Sequence, residues 1–397
     1  MRYRFGRYEL ATDSVELRCG DVCQPLEPQV FDLLRLMVEN AGRLVTHDEL
    51  IEKVWAGRIV SDSAIAARIS AARAALGDDG TRQEFIRTVK KRGFRFVAAV
   101  ERSEGAPVPD TPSHAAADRR QRVGFCRSRD GTRIAYATSG AGRPMVKAGH
   151  WLTHLEHDWQ SPIWGPFLDA LGSRFQLLRY DQRGNGLSDR DVGRLSLDAF
   201  VEDLEAVVDE AGIDRFALYG SSQGVPIAIA YATRHPEHVS HLVLQGGYHQ
   251  GRLVRSSAAE REQGEAMLTL IRHGWGRPDS PFMKAFASIF MPEAAREQID
   301  SMAALQNLTT SPANAAALRG AIDRFSVTEL LGGVAVPTLV LHARDDGVQP
   351  LEQGRELAAG IPAAEFVMLD SSSHIIVPGD RAWATMIGVI ERFAGDA

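Results

Sequence analysis

The sequence predicts two joined domains: an α+β domain over residues 1–102 and an α/β domain over residues 122–397, whose mostly parallel sheet carries a helical cap at about 249–331. Three observations predict it. At 397 residues the chain is too long for one small module and long enough to bury two cores. Residues 103–121 hold Pro107, Pro109, Pro112 and Ala115-Ala116-Ala117 with almost no large apolar side chain, the composition of a flexible linker. Ahead of that stretch strands lead into helices and a closing hairpin; behind it strands and helices alternate.

Composition narrows the function classes. A charged fraction of 24% with 44% hydrophobic residues is that of a globular chain, which excludes disordered, collagen-like and coiled-coil proteins. No apolar run reaches the roughly 18 residues that would span a bilayer, and the start at Met1-Arg2-Tyr3-Arg4 lacks the apolar segment of a signal peptide. A cytoplasmic protein with no membrane partner is expected. Three cysteines, Cys19, Cys23 and Cys126, are too few and too odd in number for a disulfide framework, and the Cys19–Cys23 spacing is one residue too long for the common zinc and redox motifs. His235, His238 and His241 form no metal-ligand pattern, so neither metal nor cofactor is expected. The net charge of −6 divides into +2 over residues 1–102 and −8 over the remainder. Between residues 82 and 102 seven basic side chains face only Glu84 and Glu101, a local strip that suits nucleic acid.

The elements of the first domain follow in order. Tyr3 to Leu10 and Ser14 to Val22 alternate as strands. Pro28 to Glu39 places Val30, Leu33, Leu34 and Met37 on one helical face. Thr46 with Glu49 three residues on predicts a capping box and a helix reaching Trp55. A third helix, capped near Ser61 or Asp62, keeps Ile65, Ile69, Ala72 and Leu76 on one side and ends at Gly77; its other side shows Ser63, Ala67, Arg68, Ser70 and Arg73. Phe85 to Val89 and Phe94 to Val97 form a hairpin with Lys90-Lys91-Arg92-Gly93 at its tip.

The blocks Leu26 to Leu34, Thr46 to Trp55, Ile69 to Asp79 and Ile86 to Phe96, in this order, resemble the OmpR/PhoB-type winged helix-turn-helix, and the match covers nearly all of residues 5–100. The resemblance implies that the third helix enters the major groove of double-stranded promoter DNA while the hairpin reaches a neighbouring minor groove or backbone. Ser63, Arg68, Arg73, Lys90, Lys91 and Arg92 are the candidate DNA contacts, cations at a hairpin tip being suited to phosphates. The helix face is poor in cations, so affinity is expected to lean on the hairpin and on homodimerisation. RNA polymerase is a further expected partner.

In the second domain, Val123 to Arg127 and Thr132 to Thr138 flank an Asp130-Gly131 turn. Strands follow near Met145, at Phe175 to Tyr180, Phe216 to Tyr219, Leu242 to Leu244, Thr338 to Leu341 and Phe366 to Leu369. Helices fall at Asp198 to Ala211, Val225 to His235 and Arg381 to Phe393. The strand at Phe216 runs into Gly220-Ser221-Ser222-Gln223-Gly224 and then a helix. Bulky side chains two positions either side of a strained nucleophile would collide, so the frame selects Ser222, flanked by glycines, over Ser221. A serine hydroxyl needs a base and the base an orienting carboxylate; Asp346, with Asp345 as alternate, and His374 stand downstream after two late strands.

Residues 123–395, with Tyr180 to Asp189 as a further recurrent block, resemble the α/β-hydrolase superfamily. Trp151 to Trp159 is similar to hydrolase-type domains fused to transcription regulators and nucleotide cyclases. The resemblance implies a Ser222–His374–Asp346 triad and an oxyanion hole whose first donor is Gln223. Where many members have His-Gly, this chain reads Lys147-Ala148-Gly149-His150-Trp151, which leaves the second donor to His150 or Trp151. One such donor is worth about 3 kcal/mol of transition-state stabilisation, so a full triad is compatible with slow turnover. His154, Phe282 and Phe286 are candidate ligand-pocket residues, the last two from a four-residue aromatic repeat in the cap. Two functions stay open: a one-component transcription regulator whose second domain binds or hydrolyses a small acyl ester or lactone, and a serine esterase with an accessory DNA-binding domain.

Overall fold

The computed structural model describes residues 2–12, 16–20, 22–24, 28–54, 62–89, 92–103, 121–255, 257–276 and 281–395. The chain forms two compact units, Met1–Ser113 and His114–Ala397. Most of the stretch read as a linker, together with Lys90, Lys91 and Trp55, lies outside the described residues.

In the first unit β1 (Arg2–Phe5), β2 (Tyr8–Ala11), β3 (Glu16–Cys19), β4 (Val22–Gln24) and, from the far end of the unit, Glu101–Ser103 make an antiparallel sheet. The two strands expected from the alternation are thus two hairpins. Gly6 and Gly20 sit at φ +57° and +58°, and these left-handed residues turn the chain without breaking the polar–apolar alternation on either side. After α1 (Pro28–Glu39) come β5 (Leu44–Thr46), α2 (His47–Val54), α3 (Asp62–Ala75), β6 (Ile86–Val89) and β7 (Gly93–Phe96), with β5, β7 and β6 paired in a small antiparallel sheet. The strand at Glu101–Ser103, β8, closes the first sheet against β1. The Thr46 hydroxyl accepts from the Glu49 N–H at 3.2 Å, one half of the expected capping box; the Glu49 carboxylate turns instead to Arg43. Leu33, Met37, Leu50, Ile65, Ile69, Ala72, Leu76 and Phe96 share one core.

The second unit is built on eight strands: β9 (Arg122–Arg127), β10 (Arg133–Ser139), β11 (Arg143–Lys147), β12 (Phe175–Asp181), β13 (Phe216–Ser221), β14 (Val239–Gln245), β15 (Thr338–Ala343) and β16 (Glu365–Leu369). Their order is β16-β15-β14-β13-β11-β12-β10-β9, parallel from β16 through β12 and antiparallel at β10 and β9. β13 is buried at every position, as a strand covered on both faces requires. The flanking helices form two packed groups: α4 (Leu155–Gln160), α5 (Trp164–Gly172) and α13 (Trp383–Gly395); and α6 (Leu197–Ala211) with α7 (Gly224–Arg234), which meets α12 (Leu351–Gly360) through a 3-10 turn at Thr328–Gly333. Four further helices, α8 (Ala258–Gly274), α9 (Pro281–Phe290), α10 (Arg296–Thr309) and α11 (Pro312–Ile322), form the insertion between β14 and β15. Among the described residues no helix is long and apolar enough to cross a membrane.

The parallel strands bring their C-terminal ends to one edge, where a ligand crevice is expected. The segments after β11, β13, β15 and β16 carry His150, Ser222, Asp346 and His374 respectively.

Candidate active site and nucleic-acid interface

Ser222 occupies the turn between β13 and α7 at φ +52°, a strained conformation for a residue with a side chain. The flanking glycines explain why it holds. A Cβ at Gly220 would lie 2.7 Å from the Gly224 carbonyl oxygen and 2.9 Å from Ala228 Cβ, and one at Gly224 would lie 3.0 Å from the Gly149 carbonyl. His374 Nε2 is 2.9 Å from Ser222 Oγ, and its Nδ1 is 2.7 Å from Asp346 Oδ2. Asp346 Oδ1 accepts from the N–H groups of Val348 and Gln349 at 2.7 and 2.9 Å. Burial alone would push the Asp346 carboxyl up, but His374 and these donors outweigh it and hold the group below its ordinary range. It is therefore ionised and can only accept, so His374 Nδ1 donates to it and Nε2 faces the hydroxyl. Asp345, the alternate acid, is exposed and makes no contact of this kind among the described residues. His342 bonds to the Gln349 carbonyl at 3.0 Å, and burial lowers its pKa.

A cleft of about 510 Å³ opens beside Ser222 and His374. Its walls are mainly apolar, with Trp151, Trp164, Phe167, Phe290, Met302 and Met386 among them, and His150 joins from the polar side. Gln223 follows the serine at the N-cap of α7, its side chain donating to Gln182 at 2.5 Å. Two expected pocket residues stand behind the wall. Phe286 packs on Phe282 and Phe290 at centroid distances of 6.0 and 5.1 Å, and of this stripe it is Phe290 that reaches His374, at 5.6 Å. The four-residue repeat marks one face of α9 but not which of its ends overlies the cleft. His154 is likewise corrected: its ring accepts the His157 N–H and caps α4. The loop bearing the imidazole is tied to the cap, since the Ile375 N–H donates to the Phe290 carbonyl and the Ser372 hydroxyl to Glu293, both at 3.1 Å.

In the first unit, Arg73 is not a surface cation. It is 8% exposed, and its guanidinium donates to the Ile86 carbonyl at 2.7 and 3.1 Å and to the Thr88 hydroxyl at 2.9 Å, fastening α3 to β6. Beside it the Asp78 carboxylate accepts from the N–H groups of Asp79, Glu84 and Phe85 at 2.8 to 3.0 Å. Arg68 is half-buried on α3, Ser63 lies in its first turn, and Arg92 is exposed beyond the hairpin tip. Arg87 and Arg95, both exposed and directly paired across β6 and β7, stand beside these candidates. Their alternation with Ile86, Phe94 and Phe96 is a signal that the sequence carries.

Residues 154–379 match the family model for the alpha/beta hydrolase fold, more than half of the chain. The chain belongs to the α/β-hydrolase family. Residues 23–96 of the chain match a second family, that of the C-terminal domain of transcriptional regulatory proteins, so an OmpR/PhoB-like regulatory domain is fused to the α/β-hydrolase domain. The chain is similar to the 2-hydroxy-6-oxononadienedioate/2-hydroxy-6-oxononatrienedioate hydrolase of Paraburkholderia phymatum, with 28% identity over 285 residues, 67% of this chain and 92% of the relative. Among solved structures it is similar to an esterase from Exiguobacterium antarcticum (20% identity, TM-score 0.59, 68% and 98% coverage) and an enol-lactonase from Burkholderia xenovorans (24% identity, TM-score 0.53, 68% and 99% coverage). At these identities the structures show the fold alone.

Proposed function

We propose that this α/β-hydrolase is a one-component transcription regulator whose second domain binds and cleaves a small acyl ester or lactone. The observation that carries the reading is the continuous Asp346–His374–Ser222 hydrogen-bond chain beside an apolar cleft, in a polypeptide that also holds a regulatory-type domain. Ser222 Oγ attacks the ester carbonyl while His374 Nε2 takes its proton, and Asp346 stabilises the imidazolium. The oxyanion is received by the Gln223 N–H and by an N–H from His150 or Trp151. Collapse returns the proton from His374 to the leaving alkoxide; water, activated by the same ring, then hydrolyses the acyl-serine. A relative named as a hydrolase supports the hydrolytic reading.

On DNA, α3 with Ser63 and Arg68 enters the major groove, while Lys90, Lys91 and Arg92 of the hairpin, with Arg87 and Arg95, neutralise phosphates of the promoter duplex. The ligand acts to the extent that it favours the DNA-competent arrangement of a homodimer engaging RNA polymerase. The test is Ser222→Ala, assayed for cleavage of 4-nitrophenyl esters and for reporter expression from the protein's own upstream region. Loss of both places chemistry in the signal; loss of cleavage with ligand-dependent expression retained makes the triad a binding frame. Cleavage lost with expression and upstream-DNA binding absent even in the wild type favours the accessory-domain esterase.

A further inference from the structure

Two arginines at the entry to the cap insertion reach the loop that carries Asp346. The segment between β14 and α8 is pinned first. The Gly251 N–H donates to the Phe325 carbonyl at 2.8 Å and the Leu253 N–H to the Asp323 carbonyl at 2.9 Å. A Cβ at Gly251 would lie 2.4 Å from that Asp323 carbonyl, so glycine is what lets the two backbones approach. Between these bonds Arg252 is buried, and its guanidinium Nη2 donates to the Val348 carbonyl oxygen. Burial pushes Arg252 down to about 10, with Arg319 and Arg255 acting in the same direction and Asp323 and Tyr248 against it, so it is a cation at neutral pH. Among the described residues no carboxylate lies within 4 Å of it, since Asp323 is bound to Arg319 at 2.7 Å. Arg255 holds the side chain of the next loop residue, donating to Gln349 Oε1 at 2.5 Å, while His342 Nε2 donates to the Gln349 carbonyl at 3.0 Å.

The Val348 carbonyl and the Gln349 N–H are the two ends of one planar peptide group. Its N–H end donates to Asp346 Oδ1 at 2.9 Å, and Asp346 Oδ2 accepts from His374 at 2.7 Å. A cation on the oxygen of an amide polarises it and strengthens its N–H as a donor, as hydrogen bonds in series strengthen one another. We propose that Arg252 is a positioning residue for the triad, acting on the Asp346 carboxylate through the Val348–Gln349 peptide group. The assignment rests on the reading of Ser222, His374 and Asp346 as a working triad. Without the guanidinium the loop loses its anchor to the cap entry and Asp346 keeps a weaker donor on Oδ1. The carboxylate is then less firmly aimed at His374 Nδ1, and the imidazole at Ser222.

The experiment follows the intact wild type, Arg252→Met, Arg252→Gln and Arg252→Lys by three readouts: 4-nitrophenyl butyrate kinetics, the amide proton resonance of Gln349, and the low-field proton resonance of His374 Nδ1. Arg252→Met is expected to lower kcat about tenfold with KM kept within about twofold, because the aim of a reacting group is disturbed and the cleft is not. Both resonances should move upfield as their hydrogen bonds weaken. Arg252→Lys keeps a cationic donor and should return kcat to within about threefold of wild type. Arg252→Gln keeps a neutral donor for the Val348 carbonyl; its kcat and resonances are expected between those of the other two variants, and it decides the matter should the methionine variant not fold. A Gln349 resonance that stays in place, or a lysine variant no better than the methionine one, overturns the relay. If the wild type cleaves nothing, the resonances still decide: an upfield move retains the relay and refutes the enzyme, and no move refutes both. Cleavage by the wild type with kcat and resonances unmoved in Arg252→Met retains the enzyme and refutes the relay.

Discussion

Asp346→Asn isolates the orientation of the base. In the structure Asp346 Oδ1 is held by two backbone donors at 2.7 and 2.9 Å, and Oδ2 accepts from His374 at 2.7 Å. Asparagine keeps the shape but has one oxygen, which the two N–H groups retain. Its amide nitrogen then faces His374 Nδ1, which must accept, and the ring proton moves to Nε2, 2.9 Å from Ser222 Oγ. There it is a donor and cannot take the hydroxyl proton. A wrong-tautomer substitution of this kind lowers kcat about 10⁴-fold, or about 5.4 kcal/mol at 1.36 kcal/mol per decade. Folding stability should fall by no more than about 3 kcal/mol, the upper worth of one charge-assisted hydrogen bond, because both backbone contacts survive. The assay is kcat on 4-nitrophenyl butyrate at pH 8 beside the urea midpoint of the same preparation. A variant that keeps more than a tenth of wild-type kcat refutes the role assigned to Asp346.

Arg183→Met should destabilise the hydrolase domain by about 3–5 kcal/mol in urea unfolding, because it strips the fully buried Asp203 of bonds at 2.7 and 2.9 Å and releases Asp130; a change under 1 kcal/mol would show the network to be dispensable. Arg73→Met is expected to lower the melting temperature of the regulatory domain, whereas Arg92→Ala should leave it in place and reduce the salt slope of DNA binding by about one. The reverse pattern in mobility shifts and melts would return Arg73 to the DNA surface. For Asp78, burial pushes the pKa up but the backbone donors of Phe85, Glu84, Asp79 and Ile86 outweigh it, so the folded value lies below the ordinary value of about 3.9. The stability it contributes is then present above pH 4 and lost as the pH falls through the folded pKa. Asp78→Asn should flatten the acid limb of the regulatory domain's urea midpoint between pH 5 and 3, and an unchanged limb would contradict this.

What was legible in the sequence was whatever steric necessity writes locally. The nucleophile turn excludes side chains at 220 and 224, and that exclusion selected Ser222 before any contact was known. The apolar stripe of α3 was equally plain. The same stripe holds the signal for Arg73, four residues beyond Ile69 and three before Leu76, at the edge of the buried face, although its charge alone suggests a surface cation. His154 stands directly ahead of the short α4, where its ring accepts from the first turn as a cap does. The short α4, α5 and α12 carry no clear helical signal in the sequence, because six to ten residues give too few turns for a period to show. Arg183 and Asp203 meet only through tertiary packing, and no spacing announces such a pair.

The stitching of the imidazole loop to the end of α9 has a kinetic corollary. A guest that props that end of the lid outward should also pull the ring away from the serine, so an oversized acyl chain is expected to be retained intact while a smaller one is turned over. Falling kcat with lengthening chain at constant affinity would be its signature, and a rate that tracked affinity alone would deny the linkage.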